Sequence, residues 1–117
     1  MKPDFEKICV IGLGYVGLPT AAVFASRGVQ VVGVDTNVGT VEMINQGKVH
    51  IVEPDLDIMV NGAVSAGRLK ATDKPQQADA YIIAVPTPFS NGYKPDLRFV
   101  ESAARSLAPV LEKGALV

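Results

Sequence analysis

Three glycines and one aspartate are the residues whose types and spacing point most directly to chemistry. Gly12, Gly14 and Gly17 form the pattern GxGxxG directly after the apolar run Ile8 to Ile11, and Asp35 lies 18 residues beyond Gly17. In this pattern the first glycine permits a sharp turn, the second lets a pyrophosphate approach the backbone, and the third lets a helix pack close to the strand. A carboxylate at the end of the next strand accepts hydrogen bonds from a ribose. The spacing predicts a dinucleotide-binding site; the alternative is a turn before a buried helix, with Asp35 as a helix cap.

Tyr15 and Val16 stand between the second and third glycines. The first N–H groups of a helix have no intrahelical partner and attract anions, so these two residues are expected to face the pyrophosphate through their backbone. Tyr15 is also compatible with simple packing, and the two interpretations do not exclude each other. Thr36 and Asn37 follow Asp35, so no arginine stands where a 2′-phosphate would be clamped, which favours NAD over NADP.

Thr87 stands between Pro86 and Pro88, directly after the fourth predicted strand. That strand neighbours the first at the point where the order of the sheet reverses, and ligands bind at such points. The hydroxyl is therefore expected to meet the ribose or nicotinamide side of the cofactor, with two prolines that stiffen the loop before binding. The alternative is a strand terminator with a surface threonine.

The remaining residues with reactive side chains predict neither a catalytic site nor a metal site. Cys9 lies within an apolar strand and is interpreted as an inert buried thiol. His50 has no neighbouring cluster of metal ligands, so it is expected in a loop. Glu53, Asp55 and Asp57 are interpreted as caps and dipole partners at the start of a helix. Because no nucleophile stands beside a base, no catalytic residue is predicted in this chain.

Strands and helices alternate along the chain and place the candidate residues on one rim of a sheet. The strands are predicted at Lys7 to Ile11, Val29 to Val34, Leu69 to Thr72 and Ala80 to Val85, with a fifth from Ala115 onward. The helices are predicted from the glycine motif to about Arg27, from Val38 to Gln46, from Pro54 to about Gly67, and from Asp96 onward. This alternation predicts an α/β fold, a Rossmann-type doubly wound parallel sheet of order 3-2-1-4-5 that is truncated at its fifth strand.

Local signals predict where two of the helices begin and end. Asn37 or Thr36 is expected to cap the second helix, and Gly47 to end it. Asp96 is expected to cap the last helix, and Pro109 to bend its final turns. The apolar stripe of that last helix is expected to contain Leu97, Val100, Ala104, Leu107 and Leu111.

Composition narrows the class of protein. The 117 residues suffice for one domain with a core, and a net charge of −1 gives no reason to expect nucleic acid or an anionic membrane as a partner. The uncharged stretch Ile8 to Ser26 is long enough to suggest a membrane span, but its glycines and Pro19 argue against a continuous helix. Asp4 and Glu6 stand where a signal peptide would be basic, and a single cysteine fits a reducing compartment. A soluble, cytoplasmic protein is expected.

Several stretches together resemble the UDP-glucose/GDP-mannose dehydrogenase family over nearly the whole chain. They are Val10 to Pro19, Gly33 to Asp35, Val52 to Pro54, Ala84 to Pro88 and Lys113 to Val117. The resemblance implies an NAD-binding Rossmann domain over residues 1–117. It also implies that NAD is bound at the positions of Tyr15, Val16, Asp35 and Thr87.

Two further stretches, His50 to Asp57 and Tyr93 to Ser106, indicate a particular branch of this family. Members of the UDP-glucose branch more often have glycine where Asp55 stands, so that branch is not the one indicated. Members of the family oxidise the C6 alcohol of a nucleotide sugar to a carboxylate in two NAD-dependent steps, through a cysteine-bound thiohemiacetal and thioester. The resemblance implies the same reaction for the protein that contains this chain.

The family's catalytic cysteine, its lysine and asparagine partners and its sugar contacts fall beyond residue 117, and Cys9 does not match that cysteine. The chain is therefore expected to be the N-terminal, cofactor-binding part of a longer homo-oligomeric enzyme that serves surface-polysaccharide synthesis. The nucleotide-sugar substrate would be bound through the missing part. An NAD(P)-dependent hydroxyacid dehydrogenase of similar architecture and a non-catalytic nucleotide-sensing domain are the alternatives.

Overall fold

The computed structural model, which describes residues 6–86 and 97–117, contains a parallel sheet with helices packed on both faces. The strands are β1 (Lys7–Ile11), β2 (Gln30–Val34), β3 (Leu69–Thr72) and β4 (Ala80–Ile83). The helices are α1 (Gly17–Ser26), α2 (Val38–Asn45), α3 (Leu56–Ser65) and α4 (Arg98–Leu107). Across the sheet the strands lie in the order β3-β2-β1-β4, and each pair of neighbours is parallel. The predicted fold class and the order of these four strands are confirmed.

A single parallel bridge between Leu116 and Ala80 stands in the place of the fifth predicted strand. The Tyr81 N–H donates to the Leu116 carbonyl at 2.8 Å, and the Leu116 N–H donates to the Asp79 carbonyl at 3.1 Å. Leu116 therefore lies beside β4, at the position that the predicted strand order assigns to a fifth strand.

β4 ends at Ile83, two residues before the predicted Val85. The Ala84 N–H still donates to the Ile11 carbonyl at 2.7 Å. Beyond this bond β1 gives way to a turn at Gly12, so β1 offers no further partner and the pairing stops.

Alternate residues of β1 point to opposite faces of the sheet, and both faces are buried. Ile8 and Val10 belong to a core formed with α1 and α3, whereas Cys9 and Ile11 belong to a second core formed with α4. This confirms that β1 is a central parallel strand, apolar on both sides. The buried residues of α1 are mostly small and allow the helix to lie close to the sheet: Gly17, Leu18, Ala21, Ala22 and Ala25.

Side chains fix both ends of α2, the first of two helices in the crossover from β2 to β3. The Asn37 carboxamide oxygen accepts a hydrogen bond from the Thr40 N–H at 3.2 Å, which confirms the predicted cap. At the other end, Asn45 pairs with Ala71 of β3. Its Nδ2 donates to the Ala71 carbonyl at 2.9 Å, and its Oδ1 accepts from the Ala71 N–H at 2.8 Å. Asn45 therefore joins α2 to the outermost strand of the sheet.

The start of α3 differs from the prediction made for Asp55. Asp55 is the N-cap residue, but its side chain makes no capping hydrogen bond and its backbone has a φ of +63°. Aspartate tolerates this left-handed region better than most residues, and glycine adopts it at no steric cost. Asp57 lies in the first turn of α3, where a carboxylate interacts favourably with the helix dipole, as predicted.

The buried side of α4 is rotated relative to the predicted stripe. Ala103 and Leu107 are buried and Val100 is partly buried. Ala104 is exposed and Leu97 is 53% exposed, so both were wrongly assigned to the buried stripe. Val100, Ala103 and Leu107 are spaced three and four residues apart and so share one helical face. Ala103 and Leu107 of this face belong to the second core.

α4 ends at Leu107, and Pro109 follows its C-cap residue, Ala108. A proline has no N–H to donate to the preceding turn, so the helix stops before Pro109 instead of bending there. Leu111 consequently lies beyond the helix and is 43% exposed, which is a further departure from the predicted stripe. The predicted cap, Asp96, lies outside the described residues.

Cys9 is fully buried in the second core, as its interpretation as a core thiol requires. Burial raises the pKa of the Cys9 thiol, and a hydrogen bond with the Gln76 backbone and the charge of Lys7 oppose this shift only in part. A buried thiol with a raised pKa stays protonated and is a poor nucleophile.

Across residues 6–86 and 97–117, no helix combines the length and apolar character needed to cross a membrane.

Replacing Cys9 by serine should lower the free energy of unfolding by about 1–3 kcal/mol, because a hydroxyl is more polar than a thiol and costs more to bury in the second core. NAD affinity should not change, since Cys9 lies within the core. Urea unfolding and calorimetric titration with NAD measure the two quantities, with Cys9→Ala as an apolar control. Loss of NAD binding with unchanged unfolding would show that Cys9 is not a core residue.

Candidate dinucleotide-binding site

The rim of the sheet where β1, β2 and β4 end carries the residues that the sequence singled out. β1 leads into the turn at Gly12, β2 ends directly before Asp35, and Pro86 lies three residues after β4. The three strands are parallel and adjacent, so their carboxyl ends lie on the same edge. The strand order reverses between β1 and β4, and this is the place where such sheets bind ligands.

The three glycines of the turn are required for three different reasons. Gly12 has a φ of +99°, and a Cβ there would come within 2.6 Å of the Ala84 carbonyl oxygen. A Cβ on Gly17 would overlap the Gly12 carbonyl oxygen, so no side chain fits between α1 and the turn. At Gly14, by contrast, a Cβ would meet nothing within 4 Å. The backbone at Gly14 is therefore open to a ligand, as the approach of a pyrophosphate requires.

The start of α1 places backbone donors beside this opening. Val16 is the N-cap residue, and no side chain caps the helix. The first intrahelical bonds run from the Leu18 N–H to the Gly14 carbonyl and from the Thr20 N–H to the Val16 carbonyl, both at 3.1 Å. The N–H groups before them have no carbonyl one turn earlier and attract an anion.

The side chains of Tyr15 and Val16 are 78% and 68% exposed. Neither side chain is therefore part of the core, and the exposure of Tyr15 does not support the interpretation that its side chain serves simple packing. This exposure agrees with the expectation that both residues act mainly through their backbone.

The Asp35 carboxylate is anchored to the protein at both oxygens. Oδ2 accepts a hydrogen bond from the Leu13 N–H at 3.0 Å, and Oδ1 accepts one from the Asn37 N–H at 2.9 Å. The Asp35 N–H donates to the Thr72 carbonyl at 3.1 Å, which continues the pairing of β2 with β3. A carboxylate offers about four acceptor positions, so about two remain for the hydroxyls of a ribose.

Leu13 and Gly33 are parts of the site that the sequence analysis missed. Leu13 is completely buried, and a Cβ on Gly33 of β2 would lie 2.7 Å from a methyl carbon of Leu13. The Leu13 side chain therefore packs over Gly33, while its N–H reaches Asp35. A glycine inside an apolar strand often marks a place where something approaches the backbone closely, and this was the available signal.

The other candidate residues do not add to the site as the structure describes it. Thr87 lies outside the described residues. His50 is exposed, and no group of three or more potential metal ligands occurs among residues 6–86 and 97–117. A diphosphate fits the open backbone at Gly14 and the start of α1, and a ribose fits the remaining acceptor positions of Asp35. In dinucleotide-binding folds of this kind, a glycine turn and an acid after the second strand are the parts that bind the adenosine diphosphate half of NAD.

Comparison with known proteins gives consistent matches over nearly the whole chain. The sequence profile of the UDP-glucose/GDP-mannose dehydrogenase family, NAD binding domain, matches residues 6–117. The chain is 65% identical over 114 residues to the UDP-N-acetyl-D-mannosamine dehydrogenase of Yersinia pestis, covering 97% of this chain and 27% of that protein. It is 60% identical over 114 residues to an NDP-N-acetyl-D-galactosaminuronic acid dehydrogenase of Ralstonia nicotianae, with the same coverage of both.

Among solved structures, the UDP-N-acetyl-mannosamine dehydrogenase of Staphylococcus aureus matches with a TM-score of 0.91 and 41% identity. The match covers 94% of this chain and 27% of that one. This chain therefore spans about a quarter of the length of the relatives that it matches.

Two glycine substitutions should separate folding from binding at the turn. Gly17→Ala should lower the free energy of unfolding by about 1–3 kcal/mol or more, because the added methyl overlaps the Gly12 carbonyl. Gly14→Ala has free space for its methyl and should not reduce stability. It should nevertheless weaken NAD about tenfold or more, the equivalent of about 1.4 kcal/mol, because the methyl stands where the pyrophosphate approaches. A folded Gly14→Ala variant that binds NAD as tightly as the wild type would contradict this role for Gly14.

Asp35→Ala should weaken NAD by roughly ten- to a hundred-fold, because a charge-assisted hydrogen bond typically contributes about 1.5–3 kcal/mol. The preference for NAD over NADP should narrow, since the carboxylate that repels a 2′-phosphate is removed. Stability should also fall, because the Leu13 and Asn37 N–H groups lose their acceptor. Calorimetric titration with both coenzymes, with thermal unfolding of each variant as the control, measures these effects. Equal wild-type affinity for NAD and NADP, or an unchanged preference in the variant, would overturn the role of Asp35.

Proposed function

Because this chain belongs to the UDP-glucose/GDP-mannose dehydrogenase family as its NAD-binding domain, we propose that the protein containing it is an NAD-dependent nucleotide-sugar dehydrogenase. The proposed reaction oxidises UDP-N-acetylmannosamine to UDP-N-acetylmannosaminuronate with two NAD. The relatives from Y. pestis and S. aureus carry the name of that enzyme. The stretches His50 to Asp57 and Tyr93 to Ser106 resemble the same branch.

One observation supports the cofactor half of this proposal above all others. The 3.0 Å hydrogen bond from the Leu13 N–H to Asp35 Oδ2 brings the glycine turn and the acid after β2 together. The turn is the place for the diphosphate, and the acid is the place for the ribose, so one dinucleotide contacts both. The turn alone would not distinguish a dinucleotide from a simple anion, and the acid alone would accept hydrogen bonds from the hydroxyls of any sugar.

Each residue of the proposed site has a limited task in the reaction. Gly12, Gly14 and Gly17 shape the turn, and the backbone at Tyr15 and Val16 donates to the diphosphate. Asp35 holds the adenosine ribose. Thr87 is proposed to contact the ribose or nicotinamide side. When bound, NAD accepts a hydride from the C6 carbon of the sugar.

The overall oxidation removes four electrons from the C6 alcohol and consumes one water. These electrons would leave as two hydrides, one for each of two NAD, and the remaining protons would pass to solvent. Cys9, the single cysteine of the chain, is buried in the second core and is not the nucleophile. We place the catalytic residues, together with the contacts to the nucleotide sugar, outside residues 1–117.

The domain organisation follows from the same reasoning. Residues 1–117 would form the N-terminal NAD-binding domain of an enzyme about four times as long, since the chain covers 27% of the Y. pestis relative. We further propose a homo-oligomeric enzyme of the cytoplasm that serves surface-polysaccharide synthesis. A single buried cysteine fits a reducing compartment.

The two alternatives have weaker support. A hydroxyacid dehydrogenase or a nucleotide-sensing domain would account for the glycine turn and Asp35 equally well. The relatives described above, however, are named as nucleotide-sugar dehydrogenases. The identity to the N-acetylgalactosaminuronic acid enzyme is only slightly lower, so the choice of sugar needs a direct comparison.

The test uses protein expressed from the complete coding sequence. It should reduce two NAD for each UDP-N-acetylmannosamine consumed, measured by NADH absorbance and by detection of the uronate. UDP-N-acetylgalactosamine and UDP-glucose serve as competing substrates under the same conditions. Faster oxidation of either one would reject UDP-N-acetylmannosamine as the substrate.

Residues 1–117 expressed alone provide the matched control. This domain should bind NAD but give no NADH above a blank without protein, because it lacks a nucleophile and a sugar-binding part. Turnover by the domain alone would contradict the placement of the catalytic residues. Failure of the domain to bind NAD would contradict the cofactor site itself.

A further inference from the structure

We propose that Asn37 is a second determinant of coenzyme choice. Its side-chain oxygen and the Asp35 carboxylate occupy backbone N–H groups at the start of α2 and so oppose binding of the 2′-phosphate of NADP. The inference rests on the proposed binding of NAD at this rim. The 2′-hydroxyl of the adenosine ribose is the group that Asp35 would hold, so a 2′-phosphate would point toward the residues that directly follow Asp35. Those residues are Thr36, Asn37 and the first turn of α2.

The start of a helix attracts anions because its first N–H groups have no intrahelical acceptor. In this protein, two of these donors are already occupied by the protein's own oxygens. The Asn37 N–H donates to Asp35 Oδ1 at 2.9 Å, and the Thr40 N–H donates to the Asn37 side-chain oxygen at 3.2 Å. A phosphate that bound these two donors would have to displace both oxygens.

The Asn37 side-chain oxygen also covers the backbone between these two donors. A Cβ built on Gly39 would lie 3.2 Å from that oxygen, so the oxygen lies over the first turn of α2. An electron-rich oxygen in this position opposes a phosphate even without Asp35. At the start of α2, the loss of the Asp35 carboxylate alone would therefore free the Asn37 N–H but leave the Thr40 N–H bonded to the Asn37 side chain.

The experiment measures the dissociation constants of NAD and NADP for the wild type, Asp35→Ala, and two double variants. Asp35→Ala/Asn37→Gly removes the capping oxygen, and glycine is itself an acceptable N-cap residue. Asp35→Ala/Asn37→Asp keeps a capping oxygen, adds a negative charge, and is also a favoured N-cap. Protein from the complete coding sequence is used, and thermal unfolding of each variant confirms that it is folded.

NADP should bind Asp35→Ala/Asn37→Gly about tenfold more tightly than Asp35→Ala, the typical effect of one added hydrogen bond to a charged group. It should bind Asp35→Ala/Asn37→Asp about tenfold more weakly than Asp35→Ala, because two negative charges then face each other. Adenosine 2′,5′-bisphosphate compared with ADP should give the same order, since this pair isolates the 2′-phosphate.

The outcomes distinguish this inference from the function on which it rests. If the wild type prefers NAD but neither double variant changes NADP affinity relative to Asp35→Ala, Asn37 has no role in coenzyme choice. If the Asn37→Gly double variant does not fold, the Asn37→Asp double variant still decides, because an unchanged NADP affinity there rejects the proposal. If the wild type binds neither coenzyme, the proposed cofactor site is wrong and the role of Asn37 falls with it.

Discussion

The hydrogen bond from the Leu13 N–H to Asp35 Oδ2 is the interaction on which the candidate site depends. It connects the turn after β1 to the end of β2 at a distance of 3.0 Å. Because Asp35 Oδ1 also accepts from the Asn37 N–H, one carboxylate fixes the glycine turn, the end of a strand and the start of α2 relative to one another. The protein's own hydrogen bonds thus hold the parts of the site together, which reduces the entropy that binding would otherwise cost.

The steric constraint at Gly17 completes this assembly from the side of α1. A side chain there would overlap the Gly12 carbonyl, so α1 must begin directly against the turn. The helix can approach the sheet this closely because its buried face is built largely from alanine. The geometry of the diphosphate position therefore depends on the absence of side chains as much as on any contact.

The sequence predicts well those features that follow from local chemistry. β1 is recognisable because an apolar run leads into a glycine turn. The cap at Asn37 is recognisable because asparagine is a favoured N-cap residue whose side chain accepts from the N–H three residues ahead. The anchoring of Asp35 by Leu13 could not be predicted, since those residues are 22 positions apart and meet only in the folded sheet.

The sequence pattern also did not predict which face of α4 is buried or the positive φ of Asp55. Several apolar side chains of the α4 region could have faced the core, but the buried residues of α4 are Ala103 and Leu107. The positive φ of Asp55 has no local signature in an aspartate, because the same residue type caps helices in the ordinary conformation. Thr87 remains a prediction from the order of the strands.

The pairing of Asn45 with Ala71 has a consequence for behaviour at high protein concentration. β3 is the outermost strand on its side of the sheet, and an outer strand with unpaired backbone groups recruits strands from other molecules. The Asn45 carboxamide occupies both the N–H and the carbonyl of Ala71, as a neighbouring strand would. One side chain thus interrupts the edge at its midpoint and protects the protein from aggregation by strand addition.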